Sequence, residues 1–145
     1  MKLRLVWVGR TRERSLIEGI HRYQLLLRAF VHLSIVEVPD QRGRDREKAV
    51  EEEGRRILRL GEPYLLLDER GRQLSSQEFA DLIGSRGAHT FVIGGAFGVS
   101  EAVRQGALDT IALSKMTLTH EMARLVLLEQ LYRAMTILRG MGYHH

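Results

Sequence analysis

Hydrophobic and polar residues follow two patterns that alternate along the chain. Short apolar runs rich in β-forming residues predict strands at residues 3–8, 33–38, 64–67, 90–93 and 110–113. Between these runs, helical spacing of apolar residues predicts helices at residues 11–30, 47–60 and 75–84, a short helix starting at Ser100, and a long helix at residues 121–139. Strands and helices therefore alternate from one end of the chain to the other.

This alternation is typical of an α/β domain. We expect one domain over residues 1–145, with a mostly parallel sheet and helices on both of its faces. The third strand is short and wholly apolar, which favours a central position, and residues 68–71 are predicted to form the turn after it. Residues 40–46 are polar and charged, and we predict a mobile connection there.

A glycine loop follows the fourth strand. Gly94, Gly95 and Gly98 lie between that strand and the helix that Ser100 could cap. Glycines at such a place let the backbone approach a ligand closely and expose N–H groups at a helix start. A tight turn without a ligand is the alternative. A dinucleotide site is disfavoured, because its glycine motif belongs after the first strand and has another spacing.

A second loop, at residues 114–119, follows the fifth strand and carries several hydroxyl groups. Ligands of parallel α/β sheets bind at the carboxyl ends of the strands. The end of the third strand at Leu67 and Asp68, the glycine loop and this second loop would then open on one side. We expect a small-molecule pocket between them. Alternatively, the hydroxyls only form turns, with Thr119 capping the last helix.

The last helix is apolar on more than one face. One apolar stripe at helical spacing consists of Ala123, Leu127, Leu131, Ala134 and Leu138. A second set of apolar residues lies on the other side and consists of Met122, Leu125, Val126, Tyr132 and Ile137. A helix of this kind must be covered on more than one side. We predict a homodimer that uses this helix; burial within one chain is the alternative.

Composition narrows the class of protein. A chain of 145 residues that is 44% hydrophobic can bury one ordinary core, and the absence of cysteine excludes disulfides and thiolate metal sites. His21, His32 and His89 lack metal-ligand spacing, so we expect no metal. No stretch is apolar enough to span a membrane and the first residues resemble a strand, which predicts a cytoplasmic protein.

The charge modestly favours a nucleic-acid partner. The formal net charge is +4, and Arg outnumbers Lys 19 to 3. Guanidinium groups bind phosphate oxygens bidentately, although arginine-rich compositions also have other origins. Candidates for phosphate contacts are Arg4, Arg10, Arg42, Arg44, Arg86, Arg124 and Arg133. Residues 140–145 look like a frayed tail, but Tyr143 and His144 could instead stack on a base and contact phosphate.

Four motifs in order resemble a known family over the whole chain. They are Phe91-Val92-Ile93-Gly94-Gly95-x-x-Gly98, Leu113-Ser114-x-Met116-Thr117-Leu118-x-His120, Glu129-x-x-Tyr132-Arg133-Ala134 and Tyr143-His144. With them the sequence resembles the large-subunit rRNA pseudouridine N3-methyltransferases, small members of the SPOUT, or α/β-knot, superfamily. Two places depart from the family pattern, namely Ala96-Phe97 and Thr119.

The resemblance carries specific expectations. It implies a C-terminal trefoil knot and a homodimer in which two knots pack together. It implies S-adenosylmethionine as methyl donor, contacted by Leu67, Gly95, Ser114, Lys115, Met116, Thr117, Leu118 and Thr119. It also implies action on a pseudouridine in a stem-loop of 23S rRNA, on the assembled ribosome.

The expected chemistry is direct transfer of an activated methyl group to N3 of the base, so alignment of donor and acceptor dominates. His144 is the candidate for removing the N3 proton and Tyr143 for orienting the nucleoside; solvent could take the proton instead. Two other classes stay open. One is a non-catalytic RNA- or ribosome-binding factor, which would not bind the methyl donor, and the other is an oxidoreductase with a different nucleotide pocket.

Overall fold

The structure is a computed structural model that describes residues 1–41, 43 and 45–145. Strands and helices alternate in it as the sequence predicts. Their bounds are β1 Lys2–Val8, α1 Arg14–Leu27, β2 His32–Val38, α2 Arg46–Arg59, β3 Leu65–Gln73, α3 Ser76–Gly84, β4 Ala88–Ile93, α4 Glu101–Gly106, β5 Asp109–Ala112 and α5 His120–Leu138. None of these helices is long and apolar enough to cross a membrane.

The five strands form one sheet in the order β2-β1-β4-β3-β5, and every pairing is parallel. β1 pairs with β2 along its whole length, from Lys2 opposite His32 to Val8 opposite Val38. β3 lies between β4 and β5, which agrees with its apolar start. The carboxyl ends of all five strands therefore meet at one edge of the sheet.

Both faces of the sheet are covered by helices. Alternate residues of β1 point to opposite sides, so Leu5 and Trp7 belong to the core beneath α1, α3 and α5, whereas Val6 and Val8 belong to the core beneath α2 and α4. Strands buried on both sides read as nearly continuous apolar runs, which is the pattern seen in the sequence. Each fully buried Leu or Val contributes about 1.5–3 kcal/mol.

The turn predicted at residues 68–71 is wrong, because β3 continues to Gln73. The pairing of β3 with β5 shifts register there, so that Leu67 and Arg72 both lie opposite Ile111. Gly71 lies against β5 so closely that a Cβ atom on it would come 2.6 Å from the carbonyl oxygen of Thr110. The glycine that suggested a turn is required for this close approach between strands.

Helix starts agree well with their sequence signals. Ser75 and Glu78 form the expected capping box, and the hydroxyls of Ser100 and Thr119 accept backbone N–H bonds at the starts of α4 and α5. Helix α1 is shorter than predicted, because the chain before it is held by another contact, described below. The predicted mobile connection includes Arg42 and Arg44, which lie outside the described residues.

Candidate functional site

Three loops at the carboxyl edge of the sheet enclose a cavity of about 550 Å³. Its walls come from residues 67–69 of β3, from the glycine loop after β4, and from residues 113–120 between β5 and α5. This volume lies in the range of small-molecule sites. All the predicted cofactor contacts except Lys115 line the cavity; Lys115 is exposed beside it.

The glycine loop is tightly folded at the cavity wall. The N–H of Gly98 donates to the carbonyl oxygen of Gly95 at 3.1 Å, and Gly98 has a φ of +81°. A Cβ atom on Gly94 would lie 2.8 Å from the carbonyl oxygen of Gly98. The loop is therefore a tight turn that also forms one wall of a cavity, as the ligand-binding interpretation requires.

Two hydroxyls of the second loop hold its shape. The Ser114 Oγ accepts from the N–H of Met116 at 2.9 Å, and the Thr119 Oγ1 accepts from the N–H of Met122 at 3.1 Å. These are the turn and capping roles that the sequence offered as the alternative. Both residues nevertheless line the cavity, together with Thr117 and Leu118.

The structure adds an ion pair to the predicted pocket edge at Leu67 and Asp68. Asp68 accepts from the Arg70 N–H and from the Arg104 Nη1, each at 2.8 Å. Burial alone would raise the pKa of Asp68, but these two donors outweigh it, so the pKa lies below its ordinary value. Arg104 balances the charge of the carboxylate, so the pair fixes this part of β3 at the cavity wall. The sequence placed Asp68 at this edge but did not predict its partner.

Beneath the cavity, Arg124 and Glu121 tie the first loop of the chain to α5. Arg124 is fully buried, and its Nη1 and Nη2 donate to the Thr11 Oγ1 at 2.8 Å and to the Val8 carbonyl at 2.6 Å. The guanidinium also lies over the Trp7 ring. The prediction that Arg124 contacts phosphate is therefore wrong, because its charge faces the protein interior.

Glu121 holds the segment that precedes α1. Its Oε1 accepts the backbone N–H groups of Arg12 and Glu13, at 2.7 and 3.0 Å. Burial would raise the pKa of Glu121, but these two bonds outweigh it and the pKa is lowered. The segment is therefore fixed to the start of α5, next to the cavity residue His120, and α1 begins only at Arg14.

The other candidate arginines have varied surroundings. Arg4 forms an ion pair with Glu62, whereas Arg10 and Arg86 are exposed. Arg133 pairs with Glu129 at 2.8 Å and lies close to the tail. Arg42 and Arg44 fall outside the described residues, so they remain candidates on sequence alone.

The C-terminal tail folds back onto α5 instead of fraying. The Tyr143 hydroxyl donates to the Glu129 Oε2 at 2.9 Å, and its ring meets that of Tyr132 edge-on. The His144 Nδ1 lies 3.1 Å from the Arg133 Nη1. Hydrogen bonding with Tyr23, burial and the nearby Glu129 carboxylate raise the pKa of Tyr143, so its hydroxyl stays protonated.

The tail and the cavity are separated within one chain. Ala123 lines the cavity, and Glu129 holds Tyr143 six residues later along the same helix. At the α-helical rise this is about 9 Å. The structure therefore brings the predicted cofactor contacts together but does not bring Tyr143 and His144 to them. In the described part of the chain, no cluster of His, Cys, Asp or Glu could hold a metal ion.

Comparison with known proteins settles the family. A family described as predicted SPOUT methyltransferase matches residues 1–144. The chain belongs to the SPOUT methyltransferase family. It is 43% identical over 153 residues to a relative from Geotalea uraniireducens (strain Rf4), covering 100% of both chains. It is 43% identical to one from Thermodesulfovibrio yellowstonii (strain ATCC 51303 / DSM 11347 / YP87), covering 99% of each. Both relatives carry the name ribosomal RNA large subunit methyltransferase H.

A solved structure supports the SPOUT fold. The SpoU methyltransferase AviRb from Streptomyces viridochromogenes superposes with a TM-score of 0.51 at 19% identity. The alignment covers 96% of this chain and 61% of that one. The resemblance found in the four sequence motifs is thus confirmed at the level of family and of α/β fold, and the chain is a SPOUT methyltransferase.

Proposed function

We propose that this SPOUT methyltransferase transfers the methyl group of S-adenosylmethionine to N3 of a pseudouridine in a stem-loop of 23S rRNA, on the assembled ribosome in the cytoplasm. The observation that carries the proposal is the cavity at the carboxyl edge, where the predicted cofactor contacts meet. The relatives that match along their full length are named for methylation of large-subunit rRNA.

The cavity suits this methyl donor in size. Leu67, Gly95 and residues 114–119 would hold it. The glycines keep the loop tightly folded at the wall, because a Cβ atom on Gly94 would meet the Gly98 carbonyl and one on Gly95 would lie 3.2 Å from the Val8 Cγ1. When bound, the donor supplies an activated methyl group on a positively charged sulphur. The trefoil knot implied by the family remains a prediction.

A homodimer completes the site in this proposal. Tyr143 and His144 contact Glu129 and Arg133, about 9 Å or more along α5 from the cavity residue Ala123 of their own chain. A second copy could bring its tail to that cavity. The side of α5 next to the cavity is suited to contact with another chain, because Met122 is 38% exposed and Val126 packs against neither core.

Tyr143 and His144 then have different roles toward the acceptor nucleoside. Tyr143 orients the nucleoside through its ring, because its one hydroxyl proton is donated to the Glu129 carboxylate. His144 is the proposed acceptor of the N3 proton. In the folded-back tail its Nδ1 accepts from the Arg133 guanidinium and Nε2 carries the ring proton, so Nδ1 must leave Arg133 before it takes the N3 proton. Alignment of donor and acceptor provides the larger share of the rate.

Methyl transfer to ribosomes tests the proposal. Assembled ribosomes purified from cells that lack this gene should accept label from radioactive S-adenosylmethionine, and nucleoside mass spectrometry should find one methyl group on a pseudouridine. Ribosomes from cells that carry the gene serve as the control and should accept no label. Absence of label in both, with no heat of cofactor binding, would favour the non-catalytic binding factor instead.

A further inference from the structure

An exposed aromatic ring belongs to the glycine loop that borders the cavity. Phe97 is 55% exposed, whereas its chain neighbours Ala96 and Gly98 line the cavity. The backbone around it is fixed, because Gly95 and Gly98 pair across the turn. The ring is therefore held on the loop that forms one wall of the cavity.

A positively charged side chain packs against one face of this ring. The guanidinium carbon of Arg46, the first residue of α2, lies 4.1 Å from the centroid of Phe97. At this distance the guanidinium stacks over one face of the ring in a cation–π contact. The exposed area then belongs to the other face and the edge of the ring, which are open to a second flat group.

We propose that Phe97 and Arg46 form a stacking platform for an unpaired base of the RNA, next to the nucleotide that enters the cavity. This inference rests on the proposed function. Proteins that bind single-stranded RNA combine aromatic faces, on which bases stack, with arginines that supply positive charge. The Phe97–Arg46 pair has both parts in one contact.

The chemistry of the pair favours RNA over a protein partner. Stable protein interfaces bury about 800 Å² on each side, far more than one ring provides. A single exposed ring with a guanidinium behind it matches one base and its adjoining phosphate. The residue also departs from the family pattern, so the platform would be a property of this chain.

Steady-state methyl transfer to ribosomes from cells lacking the gene tests the platform. Phe97→Ala and Phe97→Leu should each raise KM for ribosomes roughly tenfold, because the stacked base loses its partner. Phe97→Trp should keep KM near the wild-type value. Arg46→Gln should raise KM and make it less dependent on salt, because one phosphate contact is lost.

Leu108→Ala is the matched control. Leu108 is 56% exposed, about the same as Phe97, but it precedes β5 and so lies at the opposite edge of the sheet. This variant should leave KM unchanged. Calorimetry should find the same affinity for S-adenosylmethionine in wild type, Phe97→Ala and Leu108→Ala.

Three results would overturn the platform. Phe97→Leu with the KM of wild type would show that no ring is needed. Phe97→Ala with weakened cofactor binding would place the ring in the cofactor site. Dissociation of Phe97→Ala into monomers in light scattering would assign the ring to a contact between two copies. A wild-type protein that binds the cofactor yet methylates no ribosomes would instead overturn the proposed function, and this inference with it.

Discussion

Glu121 and Arg124 lie three residues apart on neighbouring turns of α5, yet their hydrogen-bond partners come from the start of the chain. Arg124 donates to groups 113 and 116 residues away in sequence. In the sequence Arg124 was one of seven candidate phosphate contacts, because charge and residue type cannot distinguish a buried arginine from an exposed one. A buried guanidinium needs fixed acceptors, and only the fold supplies them.

The Glu121 carboxylate gives a prediction with a defined pH dependence. Its pKa is lowered in the folded state, so its contribution to stability is present above the ordinary value of 4.5 and is lost as the pH falls through the lower folded value. Glu121→Gln should lower the free energy of unfolding at pH 7 by about 1 kcal/mol. The difference from wild type should shrink on acidification, in urea unfolding measured at several pH values.

Glu18→Gln is the control for this change, since Glu18 is an exposed glutamate on α1. It should alter stability by less than about 0.5 kcal/mol at any of these pH values. A loss for Glu121→Gln that stays constant from neutral pH to acid pH would contradict the assigned role of the carboxylate.

At the scale of the elements, features that depend on neighbouring residues were predicted correctly. Features that depend on residues far apart in sequence were not. The capping residues Ser75, Ser100 and Thr119 all cap the helices that the sequence assigned to them, because a cap depends on the next few residues only. The extension of β3 depends on Gly71 packing against Thr110, about forty residues later, which no local pattern contains. The ion pair of Asp68 with Arg104, 36 residues away, was not predicted for the same reason.

Variants of Thr119 and Thr117 distinguish a threonine that caps α5 from one that only lines the cavity. Thr119→Ala should lower the free energy of unfolding by about 1 kcal/mol, because the Met122 N–H loses its acceptor. Thr117 is exposed, and Thr117→Ala should change stability by less than about 0.5 kcal/mol. Equal losses in urea unfolding for the two variants would contradict the capping role of Thr119.

At the scale of the whole molecule, the sequence predicted the α/β architecture and the meeting of three loops, because both follow from element order. It left the tail open between two alternatives, and the contact of Tyr143 with Glu129 shows a folded tail within the chain. The apolar last helix gave an incomplete argument for a dimer. Leu125, Tyr132 and Ile137 pack against the core of their own chain, so only part of the helix surface needs another cover.

Complementation tests whether the tail acts on the cavity of a second copy. A chain that lacks residues 143–145 keeps its cavity, and Gly94→Ala keeps its tail. At an S-adenosylmethionine concentration well below the Kd of Gly94→Ala, each should have little activity alone. Co-expression should restore roughly a quarter of the wild-type methyl transfer, because about half of the dimers are mixed and each has one complete site. Activity as low as in either parent, with mixed dimers present by mass spectrometry, would contradict a tail supplied by the partner.

The central claim is that the loops at the carboxyl edge of the sheet hold the methyl donor, and calorimetric titration with S-adenosylmethionine tests it most directly. Gly94→Ala should weaken binding by about tenfold or more, because its Cβ atom would meet the Gly98 carbonyl and displace the loop. Gly87→Ala is the matched control, with open space around the added Cβ atom. Wild-type affinity in Gly87→Ala and weak binding in Gly94→Ala is the predicted result; equal affinity in the two variants, or no heat with the wild type, would contradict the claim.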